Sequence, residues 1–178
     1  MPNNFKLEKS IALLERTPGT YRELCYGLGH NWTNINEGSD TWSAFDIVGH
    51  LIHGEQTDWI PRARIMLSND GNKELEPFDR FAQKEISKGK TIEELIDQFS
   101  VLRKANLDIL RSWHLTEEQL DRTAIHPDLG TVTLRQHLST WTIHDMSHLY
   151  QLGRVIVKHY REDLGPWQAY SRILQENP

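Results

Sequence analysis

The chain is poor in the features that define several large classes of protein. It has one cysteine, Cys25, in 178 residues. No internal disulfide framework and no four-cysteine zinc site can be built from it, and a lone thiol suits a reducing compartment. No stretch approaches the roughly 18 consecutive apolar residues that a membrane-spanning helix needs. The opening MPNNFKLEKS has no apolar run of the secretory kind. Long basic runs are missing as well, and the net charge is −5, which argues against nucleic acid because phosphate binding depends on clustered Lys and Arg. No convincing strand run occurs; the turn-rich IHPDLGTVT reads as an irregular loop or a small hairpin. Internal repeats and low-complexity segments are absent. These absences lead to the expectation of a cytoplasmic globular protein with neither membrane nor nucleic acid as partner. Its length suits a single domain over residues 1–178.

What is present is helical. Residues 4–16 set Phe5, Leu7, Ile11 and Leu14 at helical spacing, and Thr17-Pro18-Gly19 then either breaks this helix or starts another. Residues 30–42 are rich in Asn, Gly, Ser and Asp and read as a loop. Ser43, with Asp46 three residues on, caps a second helix that continues through Leu67, with a kink predicted at Pro61. A long polar connection follows, containing PFDRFAQKE and room for one helical turn. Thr91 and Glu94 form a capping box for the most regular amphipathic helix, in which Ile92, Leu95, Ile96, Phe99, Leu102, Leu107 and Leu110 recur at three and four. Thr116 and Gln119 repeat that signal for a short helix. Thr133 and Gln136 open a long helix to about Tyr160, and Gly165-Pro166 begins a short C-terminal one. Four substantial helices, a long connection after the second and a short last helix predict an all-α four-helix bundle.

The chemistry concentrates on Trp141–Arg154, WTIHDMSHLYQLGR. His144 and His148 lie one turn apart on the same helix face, so both imidazoles can reach one metal ion, and Gln151 continues the stripe. Nine histidines scattered at random in this length would give roughly 0.4 such pairs, so the pair needs a third ligand from a facing helix. The second helix offers His50 and His53, and periodicity does not choose between them: its strongest apolar stripe, Phe45, Val48, Ile52, Trp59 and Met66, lies opposite His50. Three neutral imidazoles would leave a position open for water or substrate, as catalytic sites do. Imidazole suits zinc, nickel, copper and iron.

Longer motifs surround these histidines: WSxxDIVGHL at Trp42–Leu51, PFDRFAQKE after the second helix, HPDLGTVTLRQHLSTWTIHDMSHLYQLGRV from His126, and GPWQAY near the C-terminus. In these the chain resembles the DinB/YfiT-like superfamily of metal-dependent four-helix bundles over nearly its whole length. The resemblance implies that His50, His144 and His148 hold a divalent transition metal, zinc or nickel first and iron next. Where this family often has a carboxylate three residues after the second-helix histidine, the chain has His53, which could orient a ligand, act as a base or join the metal.

Asp145 invites comparison with the general base of HExxH zincins, so His53 and Asp145 are the candidate catalytic groups. Gln151 and Asp46 are candidates to orient the imidazoles. His137, two turns before His144 and about 10.5 Å along the helix, is too far to share the ion and reads as a core-edge or pocket residue. His126 reads as a turn or pocket-mouth residue, and His30, His114 and His159 as surface residues. Relatives of this family include transferases and isomerases that use low-molecular-weight thiols, such as bacillithiol and mycothiol, and hydrolases. The expected function is therefore a metal-dependent enzyme, a thiol transferase or hydrolase, acting on a small molecule. A thiol cosubstrate would call for basic groups such as Arg135 or Arg154 near the metal. The alternative is a non-catalytic, dimeric metal- or ligand-binding stress-response protein, the second helix's two-sided apolarity being suited to a homodimer interface.

Overall fold

The computed structural model describes residues 5–71 and 73–175; Asn4, at the head of the first predicted segment, lies outside them. The elements in order are α1 (Leu7–Leu14), α2 (Thr17–Cys25), α3 (His30–Thr33), α4 (Ala44–Thr57), α5 (Trp59–Leu67), α6 (Gln83–Ser87), α7 (Ile92–Ser112), α8 (Glu117–Leu120), β1 (Thr123–His126), β2 (Gly130–Thr133), α9 (Leu134–Val157) and α10 (Arg172–Gln175). The bundle has four legs. Two are the end-to-end pairs α1–α2 and α4–α5; the others are α7 and α9, and α4 packs against both α7 and α9. The short turns Lys158–Tyr160 and Gly165–Tyr170 are 3₁₀, so α9 stops before Tyr160.

All four predicted capping boxes form: Ser43 with Asp46, Thr91 with Glu94, Thr116 with Gln119, and Thr133 with Gln136. In each, two backbone N–H groups that the first helical turn leaves without partners are bonded reciprocally. The second leg, predicted to kink at Pro61, is broken outright just before that residue. Pro61 has no N–H for the Thr57 carbonyl and its ring crowds that carbonyl, so the break falls one turn upstream, at Asp58 (φ −106°, ψ −74°). Residues 30–33, predicted as loop, form the single turn α3. His159 is half-buried, stacked on Trp32 with ring centroids 4.1 Å apart.

IHPDLGTVT is a hairpin. Thr123 pairs with Thr133 and His126 with Gly130 in antiparallel register, and Gly130 takes the positive φ of +70° that closes it. The long connection is tied to this hairpin. Leu75 N–H donates to the Ile125 carbonyl (2.9 Å) and Ile125 N–H to the Lys73 carbonyl (2.8 Å), while Arg62 Nη2 donates to the Glu76 carbonyl (2.6 Å). The two-sided apolarity of α4 is used within the chain: Ile47, Leu51, Val48 and Ile52 are all buried.

Two apolar cores lie along the bundle. One contains Ile11, Leu14, Trp59, Met66, Leu107, Leu138 and Trp141. The other contains Tyr21, Ile47, Leu51, Leu95, Phe99, Leu152 and Val155. Between them sits a charged cluster that periodicity alone did not reveal. Arg103 of α7, 1% exposed, bonds Glu55 through Nε (3.0 Å) and Nη2 (2.8 Å) and Asp145 through Nη1 (2.6 Å) and Nη2 (3.0 Å). Its Nη1 also donates to the Leu14 carbonyl at 2.8 Å. Thr17 Oγ1 donates to Asp145 (2.6 Å), Asn106 Nδ2 to Glu55 Oε2 (2.9 Å) and Trp141 Nε1 to Glu55 Oε1 (3.2 Å). All four legs meet there. Burial opposes the charge on Arg103, but Glu55 and Asp145 outweigh it and raise its pKa. Replacing Arg103 by Leu would leave two buried carboxylates facing each other, and should cost about 3–5 kcal/mol. Urea unfolding of R103L at neutral pH measures this, and a loss below about 1 kcal/mol would show that the cluster does not hold the legs together.

Candidate metal centre

The site is formed by α4 and α9, whose packing brings His50 to the His144–His148 pair. His50 Nε2 lies 3.0 Å from His144 Nε2, and His148 Nε2 lies 3.1 Å from the same atom. The three donor atoms all fall within 4.8 Å of one another, and among the described residues no other group of three or more His, Cys, Asp or Glu converges in this way. His50 and not His53 faces the pair.

The hydrogen-bonding pattern favours a cation. His148 Nδ1 lies 2.8 Å from Gln151 Oε1; an amide oxygen only accepts, so Nδ1 carries the hydrogen and Nε2 presents a lone pair. His50 Nδ1 and His144 Nδ1 are buried with no partner among the described residues. Three converging imidazole nitrogens cannot all satisfy one another by hydrogen bonds, whereas a metal ion accepts all three lone pairs at once. Tetrahedral zinc with 2.0–2.1 Å bonds needs nitrogens about 3.3 Å apart, and the His50–His144 and His144–His148 spacings of 3.0 and 3.1 Å lie within a few tenths of an ångström of this. The residues present fit a divalent transition metal.

Electrostatics prepares the same state. Burial, then the neighbouring imidazoles, lowers His50 to about 3 and His144 to about 2. Burial also lowers His148, against the opposing bond to Gln151. The imidazoles are therefore neutral at physiological pH, as metal ligands must be.

The triad lies at the wall of an open cavity of about 1260 Å³. Trp42, Trp59 and Phe78 supply apolar surface, and Asp58, Arg62, Arg80 and His137 supply polar groups. Trp42 stacks on His148 (centroids 5.9 Å apart, 14° between planes), and the Phe78 ring stands edge-on to His50 at 5.5 Å. Trp59 meets His144 at 5.1 Å on one side and Trp141 at 5.5 Å on the other.

Other sequence candidates fall elsewhere. His53 is buried under Phe78, ring centroids 4.7 Å apart, and does not line the cavity. Asp145, 0% exposed, is taken up by Arg103 and Thr17 on the core side of α9; adjacent residues of a helix point about 100° apart, which turns it away from the cavity. Asp46 is occupied by its cap, accepting from the Ser43 N–H at 3.0 Å, and orients no imidazole. His126 lines the cavity mouth and also serves turn chemistry, its Nδ1 lying 3.2 Å from the Asp128 N–H. Arg135 is held by Asp121 and Glu117, and Arg154 by Glu37; the arginines that line the cavity are Arg62 and Arg80. The position of Arg80 depends on the fold of the 68–82 connection, which carries no periodic signal.

A family model, the DinB superfamily, matches residues 13–152. The chain belongs to the DinB superfamily. The same fold is seen in YfiT from Bacillus subtilis, described as a probable metal-dependent hydrolase with an unusual four-helix bundle topology. The TM-score is 0.75 at 20% identity, over 89% of this chain and 93% of YfiT. A mycothiol-dependent maleylpyruvate isomerase superposes with TM-score 0.60 at 13% identity, covering 87% of this chain and 68% of its own. A DinB-like protein of Bacillus subtilis, YjoA, gives 0.55 at 20% identity, over 85% and 92%. No curated protein matches in sequence. Among the described residues no helix is long and apolar enough to cross a membrane.

The lowered histidines fix the sign of one pH effect. Unfolded imidazoles protonate near their ordinary value of about 6.5, whereas folded His50 and His144 resist until about 3 and 2. Their contribution to stability is therefore intact above about pH 6.5 and is lost as pH falls, each group costing up to about 2 kcal/mol by pH 5. The raised carboxylates Glu55 and Asp58 act in the opposite sense, so the comparison needs a variant. Metal-free wild type should lose more stability between pH 7 and 5 than metal-free His144→Phe, as read by urea unfolding. Equal losses would mean that His144 is not held neutral.

Proposed function

We propose that this protein is a divalent-metal-dependent enzyme acting on a small molecule, with His50, His144 and His148 as the metal ligands, zinc or nickel the favoured ions and iron next. The observation that carries this reading is the convergence of three neutral imidazoles on the wall of an open cavity. A structural metal site is closed by a fourth protein ligand, and the described residues offer none here. When bound, the ion supplies Lewis acidity at the open side of the triad, enough to polarise a carbonyl or to lower the pKa of a water or thiol.

The chain's own groups do the rest. Gln151 fixes the His148 tautomer and ring orientation through Nδ1. Trp42, Trp59 and Phe78 pack around the imidazoles, limit water and leave one side for substrate. Hydrolysis is favoured by the likeness in fold to YfiT. Thiol-dependent transfer is the second reading. It draws on the likeness to the mycothiol-dependent isomerase and on Arg80, a cavity-lining guanidinium with no ion pair among the described residues, suited to the carboxylates of a thiol cosubstrate. Such a thiol would come from outside the chain, because Cys25 is buried and pushed up to about 11.

Two measurements test the reading. Protein purified without chelator should carry near-stoichiometric divalent metal, and the His144→Ala/His148→Ala variant should carry almost none; equal metal in both would rule out the triad. Zinc- or nickel-loaded wild type should then turn over small esters or amides, or conjugate bacillithiol or mycothiol to an electrophile, with a loss of at least about a hundredfold in the double variant. Bound metal without either turnover would point to the non-catalytic ligand-binding alternative.

A further inference from the structure

The triad occupies one part of the cavity, and a buried imidazole stands in another part of its wall with half its hydrogen-bonding capacity unused. His137 lies two turns before His144 on α9, about 10 Å away along the axis, and is 9% exposed. Its Nε2 is 3.0 Å from the Trp59 carbonyl oxygen. A carbonyl only accepts, so Nε2 carries the hydrogen. Burial lowers the pKa of His137, against the opposing influence of Asp58 and the Trp59 carbonyl, so the ring holds one hydrogen and not two. Nδ1 is then a lone-pair acceptor.

No described residue fills it. Nδ1 has no protein hydrogen bond and is not sealed off by its neighbours, which leaves it open to the cavity that the ring lines. The donors nearby are committed elsewhere: Arg62 Nη1 faces Asp58 at 3.2 Å and its Nη2 donates to the Glu76 carbonyl, while Thr140 Oγ1 donates to the Gln136 carbonyl at 2.8 Å. Trp59 Nε1 is turned against Gly54. On a ring only 9% exposed, an acceptor that faces the cavity is met by water until a ligand arrives, and a ligand N–H or O–H can take the water's place. A carboxylate or phosphate there would set lone pair against lone pair.

We propose that His137 Nδ1 is a specificity-determining acceptor, and that the substrate is an elongated small molecule with an alcohol, amine or amide donor at the end remote from the reacting atom. This rests on the metal reading above, which places the reacting end at the triad. The molecule would run past the Trp59 indole, whose centroid is 5.1 Å from His144 and 5.4 Å from His137. Its middle would then be apolar, which matches the wall it crosses.

Paired alkyl hydroxamates of increasing chain length test this directly, since the hydroxamate binds zinc and the far end carries either a hydroxyl or a methyl group. With zinc-loaded wild type, calorimetry should show the hydroxyl-ended compound of one length binding roughly tenfold tighter than its methyl-ended twin. His137→Phe should erase that preference while leaving the methyl-ended affinity within about twofold, and His137→Gln, which keeps a donor and an acceptor, should retain part of it. Nitrogen NMR of labelled histidine in wild type supplies a readout that needs no variant: the His137 Nδ1 resonance should move with the hydroxyl-ended compound and not with its twin. Binding without any preference, or a preference that survives in His137→Phe, would overturn the proposal and leave the metal reading standing. If no hydroxamate binds the zinc-treated wild type, the metal reading fails and the proposal fails with it.

Discussion

The structure depends on one buried guanidinium. Arg103 is held by Glu55 and Asp145 and reaches the Leu14 carbonyl, while Thr17 closes the ring of contacts from the α1–α2 leg. Four legs joined elsewhere mainly by apolar contact and by exposed pairs such as Arg22–Asp97 and Arg111–Glu15 are thereby given a fixed level relative to one another. Apolar contact is non-directional and sets the level of a helix less sharply than a bidentate ion pair in a dry interior, which loses its bonds on any shift. The cluster's partners sit beside the triad histidines in sequence, Glu55 shortly after His50 and Asp145 directly after His144. Setting the level of α4 against α9 also sets the distance between the imidazoles.

That arrangement explains why the site can be both buried and ready. Imidazoles in water titrate near neutrality, and bringing three together would ordinarily invite protonation and repulsion. Here burial comes first and keeps all three uncharged, so a cation meets lone pairs rather than competing with protons.

Much of this was legible in the residues. The four capping boxes, the amphipathic period of α7 and the bundle class follow from local rules, because caps and periodicity act over a few residues. The His144–His148 pair is likewise a local fact of helical spacing. Its partner was not: periodicity does not choose between His50 and His53, and only the packing of α4 between α7 and α9 turns His50 to the cavity and puts His53 beneath Phe78. Asp145 looked catalytic beside a metal-binding histidine, yet its neighbour Trp141 already marked its side of the helix as core. A usable signal for the ion cluster was present. Arg103 stands four residues from both Phe99 and Leu107, and Glu55 falls between Ile52 and Trp59, so charges occupied core positions on two stripes at once. What no local rule supplies is the course of the 68–82 connection, which brings Phe78 and Arg80 to the site.

That connection determines how a ligand is received. Residues 73–75 are bonded as a short parallel ladder to β1, and Arg62 clasps the next carbonyl, so the segment crossing the cavity is anchored at the same edge as the hairpin. A flap hung on free ends would have to give up its mobility each time a substrate arrived, and that ordering would be subtracted from affinity. Here the cost is met once, during folding. Any ligand of the cavity would then meet a wall already in place, selective by shape and with no door to open and close.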